Sequence, residues 1–374
     1  MVKLKDIGTI ITGNTPKTSD VQNYATQDIP FVKPSDISDN RVSYLYDSEF
    51  YISEYARNKA RVIPANSILF TCIGIIGKVA INKVECAFNQ QINAIIPNED
   101  VCLAEYLVYA LQSRKELLQE TANAPVVPII NKTQFSEIEI PLPSIEKQDR
   151  IAKELNKVCS LITAHEEQLL KLNELVKARF VEMFADVQSQ EKLINLCRFI
   201  DYRGKTPEKV DRGLPFITAK NIKMHYMSFD TQEFISKETY DKVMTRGFPK
   251  IGDVVFTTEA PLGNVCRIPY IDTEFYIGQR IITMQTDFLE PAYLEYALAS
   301  DEFKRKLIEK SSGSTVTGIR SKLLEQLTIP VPNRDLQEQF AAFVKQIDKS
   351  KFAVQQSLDK LETLKKALMQ KYFG

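Results

Sequence analysis

The apolar positions of this chain follow two different periods. Between Pro143 and Phe184 (PSIEKQDRIAKELNKVCSLITAHEEQLLKLNELVKARFVEMF) they recur at steps of four and three. The seam runs Ile151, Leu155, Val158, Ile162, His165, Leu169, Leu172, Val176 and Met183, with Arg179 filling one gap. No glycine or proline interrupts it. A heptad seam sustained over roughly four heptads predicts a coiled-coil helix. At 1.5 Å per residue such a helix is roughly 60 Å long, too long for one small domain, so it is expected to be a spacer. A second seam runs Phe340, Val344, Ile347, Lys351, Val354, Leu358, Leu361, Lys365, Leu368 and Tyr372. Each of its positions lies 189 residues after its counterpart. Both helices follow a strand-like run ending in Pro-x-Pro (IEIPLP, LTIPVP) and carry a glutamine, Gln148 or Gln337, inside the first turns.

Away from the seams the apolar runs are short and bounded by Pro, Gly and Asn, which predicts strands. IPFVKPSDI, SILFTCI with KVAINKV, and QINAIIP read this way. AEYLVYALQSRKELLQET reads as one amphipathic helix, with Tyr106, Leu107, Ala110, Leu111 and Leu117 on a single face. These runs are also written twice. KLKDIGTIITGNTP (3–16) matches KLINLCRFIDYRGKTP (192–207), and IPFVKPSDI (29–37) matches LPFITAKNI (214–222). IPANSILFTCIGIIGKVAI (63–81) matches FPKIGDVVFTTEAPLGNVCRI (248–268). FNQQINAII (88–96) matches YIGQRIITM (276–284), and AEYLVYALQS (104–113) matches PAYLEYALAS (291–300). A period this long means a duplicated domain-plus-helix unit. No match spans 38–60 against 223–247. The expected order is a mixed α/β globule (1–143), a long helix (144–185), a second globule (186–332) and a second long helix (333–374), with ADVQSQE (185–191) as the linker. Two such helices can satisfy each other as an antiparallel coiled coil with internal pseudo-two-fold symmetry. His165 and Lys351 then sit near mid-helix, as polar seam residues that set register, with a pH-sensing or partner-binding role as the alternative.

Composition narrows the classes. With 374 residues and 44% apolar composition, two or three domains with real cores are expected. No long apolar run predicts a membrane span, and MVKLKDIGTI has no signal-like apolar region. The six cysteines are dispersed without a C-x-x-C pair, which points to a reduced, cytoplasmic protein. Two histidines, His165 and His225, make a histidine-rich metal site an unlikely design. Net charge is zero, with 48 basic against 48 acidic groups. Bulk electrostatic grip on nucleic acid is therefore disfavoured, and any DNA contact must use local basic loops or a more basic partner.

The layout of globule, long helix, globule, long helix resembles the specificity subunit of type I restriction–modification enzymes, over essentially the whole chain. The resemblance rests on a repeated order of signatures. These are Gly13-Asn14-Thr15-Pro16 and Gly204-Lys205-Thr206-Pro207, IPFV and LPFI before an Asp-Ile or Asn-Ile, Gly77-Lys78-Val79 and Gly263-Asn264-Val265, and the Pro-x-Pro helix starts. It implies two target-recognition domains, each reading one half of a bipartite double-stranded DNA sequence. It implies helices that set the gap, and recruitment of two methyltransferase (modification) subunits and, through them, restriction subunits. It implies no cofactor on this chain, with S-adenosylmethionine, ATP and Mg²⁺ on the partners.

DNA-reading residues are expected on polar or basic loops in matching places of both units. Base edges select Arg, Lys, Asn and Gln, whereas phosphates accept hydroxyls and backbone N–H as well. The candidates are Thr15 and Lys17 with Tyr202, Arg203 and Lys205 at the G-x-T-P turns, and Lys33 and Ser35 with Lys220 and Asn221 after the Pro-Phe strands. Gln90 and Gln91 with Gln279 and Arg280 interrupt apolar runs. Lys78 lies in TCIGIIGK (71–78), opposite TTEAPLGN (257–264), and Arg320 lies in SSGSTVTGIRS (311–321), opposite TANAPVVPIINKT (121–133). Each has a plain structural alternative: a turn, a solvated strand end or a buried hydrogen bond. The interface of the helices is assigned to Ile151, Leu155, Val158, Ile162, Leu169, Leu172, Val344, Ile347, Val354, Leu358 and Leu361.

Catalysis is not expected here. GIIGK (74–78) lacks the first glycine and the hydroxyl residue of a phosphate loop. No Pro-Pro dipeptide exists to build an amino-methyltransferase motif. No nuclease carboxylate–lysine cluster and no Ser-His-Asp or Cys-His set is evident. The rival class is a coiled-coil assembly scaffold without DNA contact, against which the divergent inserts argue.

Overall fold

The computed structural model describes residues 1–39, 41–121, 128–204, 206–311 and 318–374. It divides into two compact units, one formed by Met1–Glu166 with Gln356–Gly374 and the other by Glu167–Gln355. The long helices span Ile145–Phe184 and Arg334–Phe373, so each is shared between both units. Lys205 and the segments 122–127 and 312–317 lie outside the described residues.

In the first unit a five-stranded sheet runs in the order Gly8–Thr12, Ile92–Pro97, Ile68–Thr71, Val79–Asn82 and Ser43–Leu45. A four-stranded sheet holds Tyr51–Ile52, Ile29–Val32, Cys86–Phe88 and Val62–Ile63, with Ile29–Val32 and Cys86–Phe88 parallel. The second unit repeats the plan. Arg198–Asp201, Ile281–Gln285, Val254–Thr257 and Val265–Arg267 form one sheet, and Phe234–Ile235, Leu214–Ile217 and Tyr276–Ile277 the other, again with a parallel pair. The central strands are buried along their whole length, as Ile68–Thr71 and Val254–Thr257 show. That burial explains their unbroken apolar runs.

The expected single helix over 104–121 is two helices, Ala104–Gln112 and Lys115–Thr121. The first is not amphipathic: Tyr106 through Leu111 are all buried. One side meets the sheet and the other the long helices, where Tyr106 lies 5.4 Å from Phe373 and Tyr109 donates to Asn156 Oδ1 at 2.6 Å. Leu117, expected on the apolar face, is 54% exposed. The expected linker is also partly structured, since Gln190–Lys192 pairs with Thr328–Pro330. This is the same arrangement as Val2–Lys3 with Glu139–Ile140 in the first unit.

No seam position of either long helix is exposed. Ile151, Leu155, Val158, Val344, Ile347, Val354 and Leu358 are buried, whereas Ile162, Leu169, Leu172 and Leu361 are half-buried. Within the first unit the end of the second helix meets the start of the first, with Tyr372 donating to Glu154 Oε2 at 2.5 Å. Within the second unit the end of the first helix meets the start of the second. There Phe180 and Phe184 pack edge-on against Phe340 at 5.5 and 5.4 Å. In each unit the two helices therefore run in opposite directions. His165 bonds back to the Leu161 carbonyl at 2.8 Å, and burial pushes the Lys351 ammonium below its usual range. Two glutamines fasten each globule to its helix. Gln148, fully buried, accepts from Leu103 N at 2.9 Å and donates to Val101 O and Pro143 O at 3.0 and 2.9 Å. Gln337 accepts from Glu290 N and donates to Pro332 O in the same way.

Candidate nucleic-acid interface

In each unit the sheets bring the predicted segments into one loop cluster. In the first, Gly13 N bonds to Ile92 O and Asn14 N to Phe88 O, both at 3.1 Å. A Cβ on Gly13 would lie 2.2 Å from the Asn89 carbonyl oxygen, so the G-x-T-P glycine is a close-approach residue. Thr15 Oγ1 then donates to Gln90 Oε1 at 2.7 Å. Asn89 N reaches Val32 O, Lys78 Nζ reaches Pro34 O at 3.1 Å, and Cys72 N reaches Gln91 O at 2.8 Å. In the second unit Thr206 faces Gln279 at 3.4 Å, Gly278 N bonds to Ile217 O, and Thr258 N bonds to Arg280 O. The turn, the strand-end loop and the glutamine loop thus touch in both units.

The loop between the central strands has one shape built twice. Thr71 Oγ1 donates to Ile75 O at 2.6 Å and accepts from Lys78 N at 3.0 Å. Thr257 Oγ1 donates to Pro261 O at 2.6 Å and accepts from Asn264 N at 2.9 Å. Gly77 and Gly263 close the two loops at φ of 90° and 88°, a region costly for any other residue. Between these fixed points the side chains differ, Cys-Ile-Gly-Ile-Ile against Thr-Glu-Ala-Pro-Leu.

The individual candidates separate by what already holds them. Thr15, Lys17, Ser35, Gln90, Lys220 and Arg320 are exposed. Arg280 is exposed but paired to Glu259 at 2.9 Å, a surface pair worth about 0–1 kcal/mol and easily exchanged for a ligand. Lys33 lies over the Phe50 ring at 3.0 Å. Arg203 is held by Asp201 Oδ2 at 3.1 Å. Gln91 accepts from Asn89 Nδ2 at 2.9 Å, and both Gln90 and Gln91 precede the strand rather than interrupt it.

Two candidates are placed in the core instead. Tyr202 is 1% exposed, its hydroxyl donates to the Gly247 carbonyl, and burial raises its pKa. It lies under the turn, where it offers no edge to a base. Asn221 is 3% exposed, accepts from Thr218, and donates to Ser228 O and Thr231 O at 3.0 and 2.7 Å. Its hydrogen-bonding capacity is used in shaping its own loop. Arg246 was not signalled by the sequence match, yet it lies on the turn, with Nη1 donating to Asp201 O at 2.6 Å and Arg203 O at 2.9 Å.

A family profile described as the type I restriction modification DNA specificity domain matches residues 1–174 and 196–365. The chain belongs to that family. The MjaIX specificity subunit of Methanocaldococcus jannaschii is 26% identical over 323 residues, covering 83% of this chain and 64% of that subunit. The chain thus spans under two thirds of that relative's length. The EcoR124I/EcoR124II specificity subunit of Escherichia coli is 32% identical over 193 residues, 49% of this chain and 46% of that subunit. In solved structures, the type I restriction–modification S subunit from M. genitalium superposes with a TM-score of 0.59 at 14% identity. That match covers 100% of this chain and 95% of the other, and it bears on the fold alone. Among the described residues, no helix is long and apolar enough to cross a membrane.

Proposed function

We propose that this chain is a specificity subunit that reads a bipartite double-stranded DNA target, one loop cluster per half-site. It carries two methyltransferase subunits and, through the complex, restriction subunits, in the cytoplasm. The observation that carries the proposal is the loop between the central strands: one hydrogen-bonded frame, built twice, presenting unrelated side chains. A constant frame with variable side chains suits two modules that do one task on different sequences. Base identity is read through the exposed or half-buried members of each cluster, Thr15, Lys17, Lys33, Ser35, Lys78 and Gln90 in one and Arg203, Lys220, Gln279, Arg280 and Arg320 in the other. The chain itself is non-catalytic and binds no cofactor; methyl transfer with S-adenosylmethionine, and ATP- and Mg²⁺-dependent steps, belong to the partners. Methylome sequencing of a host expressing this chain with its neighbouring methyltransferase subunit tests the proposal. The expected result is a bipartite methylated motif that disappears without this chain. A folded complex that yields no such motif would refute it.

A further inference from the structure

The structural repeat continues where the two halves share almost no sequence. Ile52 lies opposite Ile29, and Ile235 opposite Leu214. Each short strand runs into a serine, Ser53 or Ser236, that opens a helical segment, Glu54–Lys59 or Lys237–Val243. Each segment is followed by an arginine, Arg61 or Arg246, two residues before an x-Pro pair, Ile63-Pro64 or Phe248-Pro249. The two arginines therefore occupy equivalent places, and both are exposed. In each unit this segment touches the G-x-T-P turn. Asn14 Nδ2 donates to Lys59 O at 2.8 Å, and Arg246 Nη1 donates to Asp201 O and Arg203 O.

Several cations beside these loops are held within the chain, Lys59 by Asp20, Arg203 by Asp201 and Arg280 by Glu259. Among the described residues, neither Arg61 nor Arg246 forms an ion pair. Each keeps a permanent charge and free donors in a planar fork, which suits phosphate. A side chain that reads a base should differ between modules with different targets, whereas one that holds the backbone should not. Arginine at the same place in both units, beside segments whose sequences diverge, points to the backbone.

We propose that Arg61 and Arg246 each hold a DNA phosphate at their own half-site and so set the register in which the variable loops meet the base edges. This rests on the DNA-reading function proposed above. The test uses the full chain in complex with its methyltransferase subunits and a duplex carrying the methylated motif. One lost phosphate contact reduces the slope of log K against log salt by about 0.9, which is roughly fivefold weaker binding at 0.15 M salt. R61Q and R246Q should each show this change, the double variant roughly 30-fold, with the methylated motif unaltered. R61K and R246K should keep the wild-type slope, because a phosphate also accepts a point charge. Unchanged slopes in the folded glutamine variants would overturn the proposal, and so would a changed motif, which would mean base reading. Should R246Q fail to fold, R61Q and the lysine variants decide, a lysine variant with a reduced slope counting against. A wild-type complex without any bipartite motif would sink the underlying function rather than this contact alone.

Discussion

Replacing Gln148 with alanine should loosen the first globule from its helix. The side chain is fully buried and makes three hydrogen bonds, to Leu103 N, Val101 O and Pro143 O. Each bond contributes about 1 kcal/mol net, and an orphaned buried group costs about 1–3 kcal/mol, so the loss should be about 3 kcal/mol. The unit it belongs to, Met1–Glu166 with Gln356–Gly374, has about 185 residues. At that size 1 kcal/mol corresponds to roughly 2–4 °C, which predicts a fall in Tm of roughly 6–12 °C. The chain has no tryptophan, so calorimetry is preferable to fluorescence. Hydrogen exchange at the Leu103 amide reports the same event locally. Gln148→Glu should be worse than alanine, because it sets a carboxylate against two carbonyl oxygens. Gln337→Ala, in the other unit, should lower stability independently, and the double variant should be additive. A loss below about 0.5 kcal/mol in Gln148→Ala, with Leu103 exchange unchanged, would refute the fastening role.

Other outcomes follow from the same structure. Neutralising Arg203 and Arg280 together with Lys205 should weaken recognition of the second half-site only; equal loss at both halves, in a binding assay on half-site variants, would contradict independent modules. Inserting one helical turn into both long helices should change the gap in the methylated motif and leave the half-sites alone. Glu295 is 1% exposed between His225 Nδ1 at 2.8 Å and Arg267 Nε at 2.5 Å. Glu295→Ala leaves the half-buried Arg267 with Asp348 alone and should cost about 1–3 kcal/mol by denaturant titration. Hydrogen bonds from Lys3 and Lys5 hold the Glu137 carboxyl down to about 2. Its contribution is therefore present above the ordinary carboxylate range and is lost as pH falls toward 2, so wild type and Glu137→Gln should converge in acid-unfolding curves there.

Much of the architecture is local pattern, and local pattern is what a sequence displays. The heptad seam of Ile151 to Met183 needed only the spacing of its apolar residues, and the duplication needed only self-comparison. The family resemblance rested on the order of short signatures repeated within that layout. Even the fastening glutamines were visible as shared residues, although their bonds were not. Burial of an individual side chain is a different matter, because it depends on what the rest of the chain stacks over it. Tyr202 and Asn221 have the right chemistry for DNA and the right place in the chain, yet one lies beneath the turn and the other is saturated by its own loop. The helix from Ala104 lost its solvent face because the long helices cover the side that the sheet leaves open. Arg61 and Arg246 stand two residues before the matched runs that begin at Ile63 and Phe248, so their equivalence is in the sequence, but their freedom from ion pairs is not. Periodicity and repetition were thus determined by the sequence alone. Which polar groups stay free to meet a ligand was decided by the tertiary structure, because a donor's availability depends on every neighbour that folding brings within hydrogen-bonding reach.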